Sequence, residues 1–145
     1  MADEARQALL DLLADRHLGV LATIKRDGRP HLTTVMYTFD RDRGRIRVSV
    51  TDDRVKTANL RRDPRAAFHV SSPEGWAYVG AEVTAELSPV AAEPDDPTVA
   101  ELVDIYRAIA GEHPDWDEFR RAMVAERRIA LSLHLERVYG QAPRD

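Results

Sequence analysis

The segment Arg54-Val-Lys-Thr-Ala-Asn-Leu-Arg-Arg-Asp-Pro64 gathers the residue types that hold a phosphate. A phosphate needs convergent cations, a hydroxyl and backbone N–H groups, and the first turn of a helix that follows a strand supplies all three. Arg54, Lys56 and Thr57 fall at that position if a strand ends at Thr51. Lys56 is also unusual by type, because of 21 basic residues only it and Lys25 are lysines. Asp52 and Asp53 stand directly before the cluster and would repel an anion unless they point away or cap the helix. On these residues alone, a solvated basic helix is the competing reading.

Other chemistries lack their residues. The chain has no cysteine, which removes disulfides, thiolate metal sites and a cysteine nucleophile. His17, His31, His69, His113 and His134 show no HExxH or similar paired spacing, so no metal site is expected. The motifs GxSxG, GxGxxG and GxxxxGK[ST] are absent, and with them the hydrolase, dinucleotide and P-loop signatures. A formal charge of −4 argues against a general nucleic-acid binder. No run of about 18 apolar residues could span a bilayer, and the acidic start Met-Ala-Asp-Glu lacks the pattern of a secretory signal. Cytoplasmic residence and no membrane partner are the expectation.

The elements that must position the cluster follow from periodicity. At 145 residues the chain fits one domain, expected over 1–145. Asp3 to Asp15 has Ala5, Leu9, Leu12 and Leu13 at helical spacing, with Asp3 as a cap. From Val20 the period becomes that of a strand, and Asp27-Gly28 predicts a type I′ hairpin turn. The return strand, His31 to Phe39, carries Val35, Tyr37 and Phe39 on one face but Leu32 and Met36 on the other, so a second buried surface is expected, most simply a second copy of the chain. Arg45 to Thr51 alternates cleanly, with Ile46, Val48 and Val50 on one side. A short helix from about Arg54 to Arg62, capped by Asp52-Asp53, must end near Pro64. Strands over Ala66–Ser71 and Trp76–Leu87 follow, then a Pro-rich loop, two amphipathic helices, one with Val99, Leu102, Val103, Tyr106 and Ile109 and one with Trp116, Phe119, Met123 and Val124, and a last strand over Ile129–Leu135. This order is mainly β with peripheral helices, an α+β arrangement or small barrel.

The string Gly19-Val-Leu-Ala-Thr-Ile-Lys-Arg-Asp-Gly-Arg-Pro, followed by Val-Met-Tyr, by the Arg54–Arg65 segment and by Gly75-Trp-Ala-Tyr, resembles the pyridoxamine-phosphate-oxidase-like split barrels. Together with Tyr106-Arg-Ala-Ile-Ala-Gly-Glu-His113 and Val138-Tyr-Gly140, it resembles more narrowly their coenzyme F420-dependent branch from mycobacteria and relatives. The resemblance implies a six-stranded Greek-key split barrel, paired as a homodimer with two cofactor sites at the interface. It implies that Arg54, Lys56 and Thr57 hold the phosphate of F420, or of FMN as the alternative. Thr34, Val35 and Met36 with Ser49, Val50 and Thr51 would line the ring system, and Asn59 would lie near the cofactor tail. Trp76 and Tyr78, alternating on one strand, would approach from the other subunit or serve the dimer core. The C-terminal arginine- and histidine-containing segment of the true oxidases is missing, so vitamin B6 oxidation is not expected.

The implied activity is hydride transfer from reduced deazaflavin to a conjugated small-molecule acceptor. An FMN-dependent oxidoreductase and a non-catalytic F420-, FMN- or pyridoxal-phosphate-binding protein are the alternatives. Tyr37 and Tyr78 are the phenols that could supply a proton if either reaches the pocket.

Overall fold

The computed structural model describes residues 2–144. Its elements are α1 (Ala2–Asp15), β1 (Leu18–Ile24), β2 (Pro30–Met36), β3 (Thr38–Asp40), β4 (Arg45–Thr51), α2 (Val55–Arg62), β5 (Arg65–Ser71), β6 (Tyr78–Leu87), α3 (Pro97–Ala110), α4 (Trp116–Ala125) and β7 (Arg128–Gln141). The strands form one antiparallel sheet in the order β2-β1-β5-β6-β7-β4-β3, curled into a half-barrel with the four helices at its periphery. The mainly-β split barrel is thus the fold, with seven strands rather than six. The extra strand arises just past Tyr37, whose amide donates to the His17 carbonyl at 2.9 Å as the last rung of the hairpin ladder. Beyond that rung the chain pairs with β4 instead of β1.

Local geometry departs from expectation in four further places. Helix α1 spans Ala2–Asp15, so Asp3 lies inside its first turn, near the positive helix end, and not ahead of the helix. The hairpin closes through Gly28 N–H to the Lys25 carbonyl at 2.9 Å with positive φ at Gly28 alone, so the turn is not type I′. Strand β6 starts at Tyr78, because the Ser72 and Ala77 backbone groups bond across a turn that keeps Trp76 off the strand. Strand β7 continues to Gln141, six residues past the strictly alternating part, because Val138–Gln141 still pair with Tyr78–Ala81.

Two apolar clusters result. The barrel interior holds Ile46, Val48 and Val50 of β4 and Ile129, Leu131 and Leu133 of β7, closed at one end by Leu9, Leu12 and Leu13 of α1. The second cluster lies on the opposite face of the same two strands, where Ala130 packs under Val99, Leu102, Ile105, Phe119 and Met123 of α3 and α4. Helix α3 is fixed by Asp96, which caps it at Val99 N–H (2.8 Å) and also accepts from Ala92 and Glu93 N–H. Burial works against the charge of this carboxylate, but the amides of Ala92, Val99, Glu93 and Thr98 outweigh it and hold its pKa below the ordinary value. The stabilisation is therefore present above the usual carboxylate range and lost as pH falls through the lowered value. Asp96→Ala is expected to cost about 1–2 kcal/mol, read as a lowered urea midpoint at pH 7, with the gap to wild type closing as pH falls below the ordinary carboxylate range.

Candidate active site

A cavity of about 530 Å³ opens where the two clusters meet the end of the barrel. Its floor is Thr34, Val35 and Met36 of β2 beside Ser49, Val50 and Thr51 of β4. Arg54 and Lys56, from the residue before α2 and its first turn, bound one side, and Leu102, Ile105, Tyr106, Phe119 and Met123 of α3 and α4 form an apolar wall. Arg128, at the start of β7, completes the polar end. Eight of the twelve residues expected to touch a cofactor therefore line one cavity.

The other four lie elsewhere. Thr57 is fully buried and its hydroxyl donates to the Thr51 carbonyl at 2.7 Å, which ties α2 to the end of β4 and leaves that proton unavailable to a ligand. Asn59 is buried as well: its amide donates to Thr23 Oγ1 at 3.0 Å and its carbonyl oxygen accepts from Arg62 at 3.0 Å, so it links α2 to β1. Trp76, 81% exposed, borders a separate cleft with Glu74 and Gln141. Tyr78 stacks on His69 at 5.5 Å between ring centres. Within one chain neither aromatic residue lines the cavity. Tyr37 is likewise absent from it, buried in the barrel core.

Electrostatics favour an anion at the polar end. Asp52 is held by Arg61 at 2.7 Å and Arg127 at 3.1 Å, which keep its carboxyl below the ordinary range, while Asp53 accepts from the Thr51 hydroxyl at 2.8 Å. Neither lines the large cavity. They do not cap α2 either: its N-cap is Arg54, with no side-chain cap bond, so the first-turn amides are not taken by a carboxylate. Lys56 has its pKa lowered by burial first, then by Arg54 and Arg128. Three cations thus crowd one end of a cavity whose lining includes a single carboxylate, Glu126. His31, on the far side of Arg54 and Lys56 in a smaller cavity, has a buried Nδ1 without a hydrogen-bond partner.

Arg128 and the α3–α4 wall are the functional candidates that sequence reasoning missed. The signal for Arg128 was present, since in a strand whose Ile129, Leu131 and Leu133 face inward, Arg128 must face the other way. It becomes informative only once β7 is known to pair with β4, which sets Arg128 opposite Thr51.

Residues 5–142 match the pyridoxamine 5'-phosphate oxidase family. The chain belongs to that family. Among relatives of this oxidase-family chain, an F420H(2)-dependent biliverdin reductase from Mycobacterium tuberculosis is 29% identical over 133 residues, covering 92% of this chain and 85% of the relative. A conserved hypothetical protein from the same organism, Rv2991, superposes with a TM-score of 0.73 at 25% identity, over 94% of this chain and 82% of that one. A solved F420 reductase superposes with a TM-score of 0.63 at 22% identity, over 89% and 94% of the two chains, a likeness of fold.

Proposed function

We propose that this chain is an F420-dependent oxidoreductase whose large cavity takes the cofactor, with the phosphate against Arg54 and Lys56. The observation that carries the reading is the convergence of those two cations, the β2 and β4 segments and an apolar helical wall on one cavity of about 530 Å³, a size and mixture suited to a cofactor-sized ligand. The preference for F420 over FMN is supported by the relative that uses F420H(2). When bound, the reduced deazaflavin supplies hydride from C5 to an electron-poor conjugated acceptor. The protein contributes position, through Thr34–Met36 and Ser49–Thr51, and exclusion of water, through Leu102, Ile105 and Phe119. The phenol among the lining residues is Tyr106. The functional unit in this reading is a homodimer, supported by the exposed row of Leu18, Leu32 and Met36 on one face of the β1–β2 hairpin, Leu32 at 65% and Met36 at 56%. An apolar row of this kind needs a cover.

Side-by-side titration of the purified protein with F420 and FMN tests the cofactor assignment. F420 binding, followed by faster F420H(2) oxidation with a conjugated acceptor, is the expected result. Tight FMN binding with no F420 binding overturns it, and F420 binding without acceleration across a panel of acceptors assigns storage instead.

A further inference from the structure

Among the described residues Arg127 is the only one other than glycine with positive φ, at 53°. Residues with a Cβ seldom adopt that conformation. Here it is held on two sides by Asp52, whose amide donates to the Arg127 carbonyl at 3.0 Å and whose carboxylate meets the Arg127 guanidinium at 3.1 Å. The turn joins the end of α4 directly to β7, and both neighbours of Arg127, Glu126 and Arg128, line the large cavity. Backbone outliers fixed by their surroundings cluster at functional sites. What this one delivers is an arginine.

Arg128 is fixed at its backbone, where its carbonyl accepts from Ala91 N–H at 2.8 Å and its register is set opposite Thr51. Its side chain is engaged more loosely. Nε and Nη2 both meet a single oxygen of Glu126, at 3.0 and 2.9 Å, and Nη1 reaches Ser49 Oγ at 3.4 Å. The guanidinium fork is shaped for a carboxylate or phosphate, and Glu126, half exposed, occupies the edge that such a group would take. The Arg128 charge is felt at Lys56, whose pKa is lowered by burial, Arg54 and Arg128 in that order. In the functional reading Arg54 and Lys56 serve one phosphate, which leaves Arg128, the third cation of the lining, in excess.

We propose that Arg128 is a second anion-binding group of this cavity, taking a carboxylate or phosphate distinct from the one at Arg54 and Lys56, with Glu126 as the internal carboxylate that the ligand displaces. The inference rests on the functional reading only in taking this cavity as the binding site. The second anionic group belongs either to the cofactor or to the acceptor.

Calorimetric titration of wild type, Arg128→Gln and Glu126→Gln with inorganic pyrophosphate tests it. Arg128→Gln is expected to weaken binding by about tenfold or more, the worth of a charge-assisted hydrogen bond. Glu126→Gln is expected to tighten binding severalfold, a gain that misfolding cannot imitate. Equal affinity in all three proteins, or no binding to wild type, overturns the proposal. Titrating the same proteins with F420 locates the source: weaker F420 binding in Arg128→Gln assigns the group to the cofactor, while unchanged F420 binding with a raised KM for a carboxylate-bearing acceptor assigns it to the acceptor. If neither F420 nor FMN binds wild type but pyrophosphate binding still depends on Arg128, the oxidoreductase reading fails and the anion site stands.

Discussion

Lys56→Ala is expected to weaken cofactor binding by about ten- to a hundredfold, since a charge-assisted hydrogen bond is worth about 1.5–3 kcal/mol and about 1.4 kcal/mol corresponds to tenfold. Fluorescence titration with F420 at low salt measures it, and an affinity equal to wild type would remove Lys56 from the site. The pH dependence carries the same signature. Burial, then Arg54, then Arg128 hold the Lys56 pKa below the ordinary lysine value, so wild-type affinity should start to fall at lower pH than a solvated lysine at about 10.4 would give. The sign is opposite for the protein alone. Charging a lysine whose folded pKa is depressed works against the folded state, so this contribution to stability improves as pH rises from the lowered value toward the ordinary one. Affinity falling while stability rises over one pH window is hard to produce from any group outside the cation cluster, and Lys56→Ala should abolish both trends.

Thr57 provides the contrast. It sits one residue from Lys56 in the string expected to hold a phosphate, yet its hydroxyl is spent on the Thr51 carbonyl. Residue type announces that a side chain can bond a phosphate but not the direction it faces on the helix, and α2 is too short and too polar for its buried face to be read from periodicity. Asn59, expected near the cofactor tail, lies on the same unread face, as a buried amide between Thr23 and Arg62. Strand β4 was legible down to its ends, because strict alternation with one buried face leaves a single register available. The break between β2 and β3 was not. Past the last hairpin rung, from the Tyr37 amide to the His17 carbonyl, the chain changes partner and pairs Thr38–Asp40 with Arg45–Arg47, and no local pattern encodes that change. Arg128 depends on a still longer pairing, with Ser49 79 positions earlier in the chain. What the pattern of residues conveys well is which face is apolar; which polar groups share a cavity is fixed by pairings between distant strands.

Tyr37 separates a role in the reaction from a role in the fold, and its replacement should show the largest loss of stability of those considered. The ring is fully buried, edge-on to Phe68 at 5.0 Å, and the hydroxyl donates to the Leu13 carbonyl at 2.6 Å in the last turn of α1. Tyr37→Ala is expected to cost about 3–5 kcal/mol, a large share of the roughly 5–15 kcal/mol that holds a typical domain folded. Tyr37→Phe keeps the ring and strands only the Leu13 carbonyl, for about 1–3 kcal/mol. Urea midpoints with an unchanged slope would report both, whereas kcat and F420 affinity of folded Tyr37→Phe should match wild type. A loss of turnover beyond tenfold in fully folded Tyr37→Phe would return the phenol to the chemistry. The alkaline limb supplies an independent check. Burial pushes the phenol pKa far above its ordinary value, against a smaller lowering by Arg16 and with a further increase from Asp15. A raised folded pKa means that the contribution is complete below about pH 10 and is lost as pH climbs toward the folded value, because only the unfolded chain can release the proton. Wild type should therefore lose stability above pH 10 more steeply than Tyr37→Phe, so that the two curves converge in strong alkali, while a phenol open to the cavity would ionise in both states and leave the curves parallel.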